Sequence, residues 1–269
     1  MEDNLMLRRR TWIFTLFIII ATFLGSSPSP AKESTNIRIC IVTGSSPDAV
    51  VNQWLPLVSY LTSTVGRPFE IQIRDSMEDM IEDYRKGDLD VVISGDMNYV
   101  MAHDTVGATP LAAAERPEHQ KLHAVIVTRA GVKASKIGDL KGTSFAFTEP
   151  YSTTGYLMPR LMMAEAGITQ PADFFKDVIF AGHHSEALEA VMSGRVAATS
   201  VVSYLADEAN SHGANLKVLS ASPFLPPEPI YARPSLDPDI ISKIRDSLLK
   251  MHERVSADIM HRLGLIRFT

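Results

Sequence analysis

One cysteine, Cys40, is all that 269 residues supply, so no disulfide can close within the chain. It lies in the apolar run "IRICIV", where a thiol behaves as a small buried hydrophobe. It also lacks the signal-end position that lipid attachment needs. Basic clusters are scarce beyond the first ten residues, which argues against nucleic acid as a partner. No set of histidine, cysteine and acidic residues has the spacing of a metal site, so neither metal nor cofactor is expected. The G-x-S-x-G elbow of hydrolases is missing, and so is any evident nucleophile–base–orienter set. An enzyme is therefore not expected. Repeats and low-complexity segments are absent past the amino-terminal segment.

What the chain does have begins with that segment. Arg8, Arg9 and Arg10 precede an apolar run from Trp12 to Leu24, followed by Gly25, Ser26 and Ser27. A basic start, a short apolar core and small residues make a secretory signal, here residues 1–31. The run falls short of the ~20 residues a spanning helix needs, although an uncleaved anchor is the alternative. Export carries the chain out of the cytoplasm. Without residues 1–31 the chain keeps 23 basic and 29 acidic side chains, net −6.

The remainder alternates short β-like runs with helical ones. "IRICIV" reads as a strand, and "SSPDAVVNQWLPLVSYLTSTVG" as a helix from Ser46/Pro47/Asp48 to a stop at Gly66. Val51, Leu55, Val58 and Leu61 set its apolar spacing. "FEIQIR" alternates as a strand does, and "SMEDMIEDYRKGD" is a helix with acids in its first turn and a stop at Gly87. "VVIS" is a buried strand. This order predicts a parallel sheet with right-handed crossovers. Further strands are predicted at "TPLAAA", "HAVIVTR", "TSFAFT", "DVIFAG", "VAATSVV" and "LKVLSAS". Helices fall at "TTGYLMPRLMMAEAG", "SEALEAVMSG" and "DPDIISKIRDSLLKMHERV", with a short one at "KIGDLKG". The proline-dense "SPFLPPEPIYAR" reads as a stiff connector, unable to form a central strand. Two α/β units with such a connector predict two lobes.

In open parallel sheets ligands bind beyond the carboxyl ends of the strands. The loops there carry the candidate chemistry. "EPYSTTGYLMPR" places Ser152, Thr153, Thr154 and Gly155 at a helix start. Three hydroxyls, unsatisfied amides and the positive dipole end make an oxyanion cradle without formal charge. The plain alternative is one capping threonine among loop residues. Pro159, one turn in, disturbs regular helix. At "AGHHSEAL", His183 and His184 can donate to an anion, though neighbours on a strand end point apart. At "SGDMNYV", Asp96 or Asn98 can cap a helix and Tyr99 can pack. Glu228 is an acid on the rigid connector.

From Ile37 to about Val255 the chain resembles the periplasmic solute-binding proteins of phosphonate, phosphite and phosphate ABC transporters. The resemblance rests on "QWLPLVSYLTSTVGRP", "YRKGDLDVVISGDMNYV", "EPYSTTGYLMPRLMMAEAGI", "IFAGHHSEALEAVMSGRVAAT" and "SPFLPPEPI", in that order. It implies an α/β fold of the type II periplasmic-binding-protein kind, with parallel-dominated sheets and a hinge between two lobes. Residues 36–112 with 225–269 would form the first lobe and 113–224 the second.

The resemblance further implies that Ser152, Thr153 and Thr154 hold phosphoryl oxygens. It assigns ligand contact to His183, with His184 as the alternative. Tyr99 matches the family's aromatic, and Glu228 the acid of its Gly-Asp-Pro segment, with Pro227 in place of glycine. Closure would bring Tyr99 and the loop Gly44–Ser46 onto the ligand. Val201, Val202 and Ser203 leave no carboxylate where relatives that bind aminoalkyl phosphonates, or their close kin, carry an acid. A compact ligand such as phosphite, methylphosphonate or phosphate fits that departure. The implied partners are a small phosphorus oxyanion and a membrane permease, with the receptor itself a monomer. The same fold could instead sense a ligand for a membrane partner.

Overall fold

The computed structural model describes residues 36–42, 47–74, 76–117 and 122–269. The expected signal, residues 1–31, and the loop Gly44–Ser46 lie outside them. Two mixed sheets organise the chain, each flanked by helices.

The first half runs β1 (Ile37–Val42), α1 (Pro47–Val65), β2 (Phe69–Arg74), α2 (Met77–Lys86), β3 (Val91–Ile93), α3 (Asp96–Val106) and β4 (Thr109–Glu115). Next come β5 (Ala124–Arg129), a 3-10 turn at Ile137–Leu140 and β6 (Ser144–Phe147). A π-helical turn, Thr153–Leu157, leads directly into α4 (Met158–Glu165), and α5 (Pro171–Phe174) and β7 (Asp177–Phe180) follow. Then come α6 (His184–Met192), β8 (Ala198–Val202), α7 (Ser203–Ser211), β9 (Leu216–Ala221) and β10 (Glu228–Ala232). The last elements are α8 (Pro238–Arg254), α9 (Ala257–Arg262) and β11 (Arg267–Phe268).

The first sheet has the order β11-β4-β10-β3-β1-β2 and the second β7-β6-β8-β5-β9. The strand–helix alternation produces its parallel pairs in both: β1 with β2 and β3, and β6 with β7 and β8. The remaining pairs are antiparallel. They involve the strands on either side of the two crossings between sheets, β4 to β5 and β9 to β10, together with β11. A chain that leaves one sheet and returns from the other re-enters pointing the opposite way, so each sheet is mixed.

The proline-dense connector departs from the sequence reading. Its end, Glu228–Ala232, is a central strand between β4 and β3. Pro229 is tolerated for a geometric reason. Its carbonyl accepts from Ser94 N at 3.4 Å, so its nitrogen faces the same side, past the end of β3 at Ile93. The missing N–H forgoes only the return bond of this last pair. Most of Gly95–Tyr99, read as a loop, belongs to an eleven-residue helix, Asp96–Val106, closed by Gly107 in the left-handed region.

Helices α1 and α8 cover one face of the first sheet over a core that includes Trp54, Leu57, Leu61, Ile244 and Leu248. Val51 and Leu55, expected on the apolar face of α1, are exposed. Two stripes share the helical spacing, and the one bearing Val50, Trp54, Leu57 and Leu61 buries more area because it holds the indole. The other face packs Cys40, Met80, Tyr84, Tyr231 and Ala102. Burial pushes the Cys40 thiol up to about 12, so it is an inert core residue. Helix α2 is bounded as its sequence predicts. Ser76 caps Asp79 N at 3.1 Å, and Gly87, at φ 81°, supplies the left-handed turn.

In the second sheet, α6 and α7 pack over Val125, Val127, Ala146 and Val201, while Phe145, Phe147 and Met163 fill the opposite side. The carboxyl-terminal tail runs along β4: Ile266 N reaches Glu115 O at 2.7 Å, and Ala113 and Thr269 exchange bonds of 2.7 and 2.9 Å.

Candidate functional site

A cleft of about 720 Å³ is lined by residues from both sheets. Its walls are the carboxyl ends of parallel strands. Ile41 is next to last in β1, and Ile93 leads to Gly95 and Asp96. Thr148 and Glu149 follow β6, Gly182 and His183 follow β7, and Val202 ends β8. That is where open α/β sheets hold ligands.

The helix start expected as an oxyanion cradle is built by an unusual turn. Ser152 caps it, its Oγ accepting from Gly155 N at 3.0 Å. The Ser152 carbonyl receives both Tyr156 N (3.1 Å) and Leu157 N (3.0 Å). The Thr153 carbonyl receives Met158 N, which widens the turn to π geometry. Pro159 offers no N–H, so the next two carbonyls find partners elsewhere. Thr154 O accepts from Ser200 Oγ at 2.9 Å, and Gly155 O from Thr148 N at 3.3 Å. The disturbance read from Pro159 is this widened turn. The amides of Thr153 and Thr154 bond to nothing among the described residues.

Gly155 is buried beneath the turn, not on its surface. A Cβ there would lie 1.8 Å from Thr148 Oγ1, so the close approach requires glycine. Thr148 Oγ1 itself is buried without a hydrogen-bond partner.

The cleft brings together Ser152, Thr153, Thr154, His183, His184 and Glu228. Tyr99 stands apart from this lining. It packs on Tyr231 with ring centroids 5.4 Å apart, within the aromatic core of the first sheet. His183 caps α6 without a side-chain bond, whereas His184 Nε2 lies 3.3 Å from Thr154 Oγ1. His184 Nδ1 is buried without a partner. Burial, with a smaller push from His183, lowers the His184 imidazole to about 4. It is therefore neutral near pH 7, with one N–H and one lone pair.

Two hydrogen bonds join the sheets across the cleft's edge. Met97 N donates to Thr153 Oγ1 at 2.9 Å, and Met77 N to Glu149 Oε2 at 3.4 Å. The first carries Asp96, one residue earlier, to the cradle.

Several lining residues were not singled out from sequence as ligand contacts. Asp96 was weighed only as a helix cap. Burial, then the charge of Glu228, pushes its carboxyl up to about 6. Burial also raises the Glu149 carboxyl. Arg116 brings a formal positive charge to the first-sheet side of the cleft, outside the Ser152–Gly155 turn. Its Nη2 is 3.8 Å from Glu228 Oε2, its Nη1 donates to Leu263 O at 3.1 Å, and its guanidinium lies 5.5 Å from the Trp54 ring centroid. The available signal was positional: Arg116 directly follows β4, beside the start of β10 where Glu228 stands. Glu228 is thus no lone acid on a connector but the first residue of a central strand, with a cation beside it.

The arrangement presents the hydroxyls and histidines with Glu149 and Glu208 on the second-sheet side, and Asp96 and Glu228 with one guanidinium on the first-sheet side. Hydroxyls and free amides at a helix start suit a tetrahedral oxyanion. Among the described residues no group of three or more histidine, cysteine or acidic side chains could hold a metal.

Comparison with known proteins gives this geometry its context. The phosphonates-binding periplasmic protein of Escherichia coli (strain K12) is 25% identical over 269 aligned positions, spanning 95% of this chain and 78% of that protein. The phosphate-import protein PhnD of Mycolicibacterium smegmatis is 25% identical over 206, spanning 71% of this chain and 64% of its own length, a little under two thirds. The 1.52 Å structure of PhnD1 from Prochlorococcus marinus (MIT 9301) in complex with methylphosphonate superposes with a TM-score of 0.73. It is 18% identical, covering 87% of this chain and 92% of that one, so it speaks for the shared two-lobed fold. The model of the family described as "ABC transporter, phosphonate, periplasmic substrate-binding protein" matches residues 39–269. With nearly its whole described length in that match, the chain belongs to the periplasmic substrate-binding proteins of phosphonate ABC transporters, a family of transport receptors and not of enzymes.

Proposed function

We propose that this chain is the receptor of an ABC importer that captures a phosphorus oxyanion between its two lobes and presents it to a membrane permease. One observation carries the reading: Ser152, Thr153 and Thr154 line the cleft at a widened helix start whose first amides are unengaged, with two histidines beside them. Such donors hold an oxyanion by charge-assisted bonds without burying a fixed countercharge. They stand on the ends of regular elements, so little ordering accompanies binding.

In this reading Ser152, Thr153 and Thr154 hold the phosphoryl oxygens over Gly155. His184 steadies Thr154, and His183 faces the ligand from the cap of α6. Tyr99 acts indirectly, by packing the core behind α3. Glu228, balanced by Arg116, accepts hydrogen bonds from a protonated oxygen or another donor on the ligand and disfavours oxyanions that have none. The lobes correspond to residues 36–112 with 225–269 and to 113–224, except that Ala113–Glu115 complete β4 in the first sheet, and closing them is favoured only by as much as the ligand binds the closed form better. Residues 1–31 direct export to the periplasm and are removed, and the receptor acts as a monomer.

Calorimetry with phosphite, phosphate, methylphosphonate and sulfate tests the assignment. A phosphorus compound should bind and sulfate should not. Replacing Ser152, Thr153 and Thr154 together with alanine should abolish binding. Retained binding in that variant would refute the assignment.

A further inference from the structure

The cleft is too large for the compact ligand its cradle suits. A tetrahedral oxyanion has four oxygens, each with roughly a water's share of volume, so it fills on the order of 100 Å³. The cleft holds about 720 Å³, within the span of sites that enclose a drug-sized organic molecule. The two sides of this room are joined at its edge, at Met97–Thr153 and Met77–Glu149.

The composition of the extra space is informative. Away from the cradle, the first-sheet wall passes from Asp96 to Glu228, to Arg116 at 3.8 Å, and to Trp54 beneath the guanidinium. Opposite stands α7, which contributes Leu205, Glu208, Ala209 and His212. Leu122, Leu188 and Pro226 add apolar surface. A bare oxyanion held at Ser152–Thr154 leaves the apolar groups and α7 without a partner. A carbon-rich substituent covers the apolar ones, and hydroxyl or amino groups on it satisfy the carboxylates, which can only accept.

On the premise that the cradle binds a phosphoryl group, we propose that the ligand of this receptor is an organic phosphoryl compound with a ring-sized, hydrogen-bond-donating substituent that lies between the Arg116–Trp54 wall and helix α7. The phosphoryl end docks at Ser152–Thr154. Asp96 and Glu228 accept from the donors nearest the phosphorus. The far end of the cleft selects against ligands too short to reach it.

Calorimetry on the purified protein compares two sets of probes. Inorganic phosphate, phosphite and methylphosphonate are compact. Glycerol 3-phosphate, phenylphosphonate and adenosine 5′-monophosphate are extended. At least one extended probe should bind about tenfold or more tighter than every compact one. Ala209→Trp, which fills the far end from α7, should erase that preference while compact probes change by less than about threefold. Glu208→Trp, at an exposed position on the same helix, repeats the test should the first variant fold poorly. If a compact probe binds tightest and every extended one is weaker, the inference is overturned while the phosphoryl reading stands. If neither set binds, the phosphoryl reading falls and takes the inference with it. An equal loss for both sets in the tryptophan variants also counts against a separate far end.

Discussion

The hydroxyl of Thr153, in the second sheet's cradle, accepts a hydrogen bond from the amide of Met97, on the first sheet's helix α3, at 2.9 Å. One side chain of the widened turn therefore ties the walls of the cleft together. Thr153→Val keeps the shape and removes the acceptor. It should weaken ligand binding by about tenfold, the worth of one well-placed hydrogen bond. Small-angle scattering should show a smaller ligand-induced compaction than in the wild type. Undiminished compaction with full affinity would show that Thr153 bridges nothing of consequence.

Gly155→Ala tests the floor of the cradle. The new Cβ would meet Thr148 Oγ1 at 1.8 Å and Thr148 Cγ2 at 2.6 Å. Both residues belong to packed backbone turns, so neither can yield cheaply. The variant should lose about 3 kcal/mol of stability by denaturant titration, and binding with it. A stable variant with normal affinity would mean that the turn relaxes freely.

Asp96 gives a pH signature of defined sign. Its folded-state carboxyl is raised to about 6, above the ordinary aspartate value near 3.9. The folded chain therefore holds this proton better than the unfolded one, and stability falls as pH climbs from about 4 to about 6. Asp96→Asn should remove that slope. The variant should be more stable than wild type at pH 7 by about 1 kcal/mol, a figure reduced for solvent screening. Parallel stability profiles for the two proteins would contradict the assignment.

His184 has the opposite signature. Burial holds its imidazole down to about 4, so the folded chain resists the proton that the unfolded chain takes up near 6.5. Its contribution to stability is present above about 6.5 and fades as pH falls toward 4. Nitrogen-detected NMR should find this ring neutral at pH 6, with His184→Gln flattening that part of the profile. A midpoint near 6.5 would place His184 in solvent.

Much of this architecture was legible in the residues because local signals and burial agreed. Ser76 and Gly87 bound a helix in sequence and structure alike, and the parallel halves of both sheets follow from strand–helix alternation. The irregular turn at Thr153–Leu157 was legible for a similar reason: three hydroxyls and a glycine before Pro159 are a dense local pattern. What escaped was non-local. The prolines around Glu228 hide a central strand, because only the early end of β3 at Ile93 makes Pro229 harmless there. Arg116 and Asp96 follow strands in the chain like many exposed charges do, and only the assembled first sheet turns both toward Glu228. Tyr99 illustrates the reverse. Its neighbours in sequence belong to the cleft rim, but its ring packs against Tyr231, inside the first sheet's aromatic core.

The tail beyond α9 has a bearing on all this. Leu263 and Gly264 accept from Arg116, and Ile266 to Thr269 are laced onto the strand that delivers it. The sole guanidinium among the described lining residues is thus moored by the last few residues of the sequence. A fusion or deletion that peels off this strip would loosen the arginine from afar, altering recognition without touching the cleft.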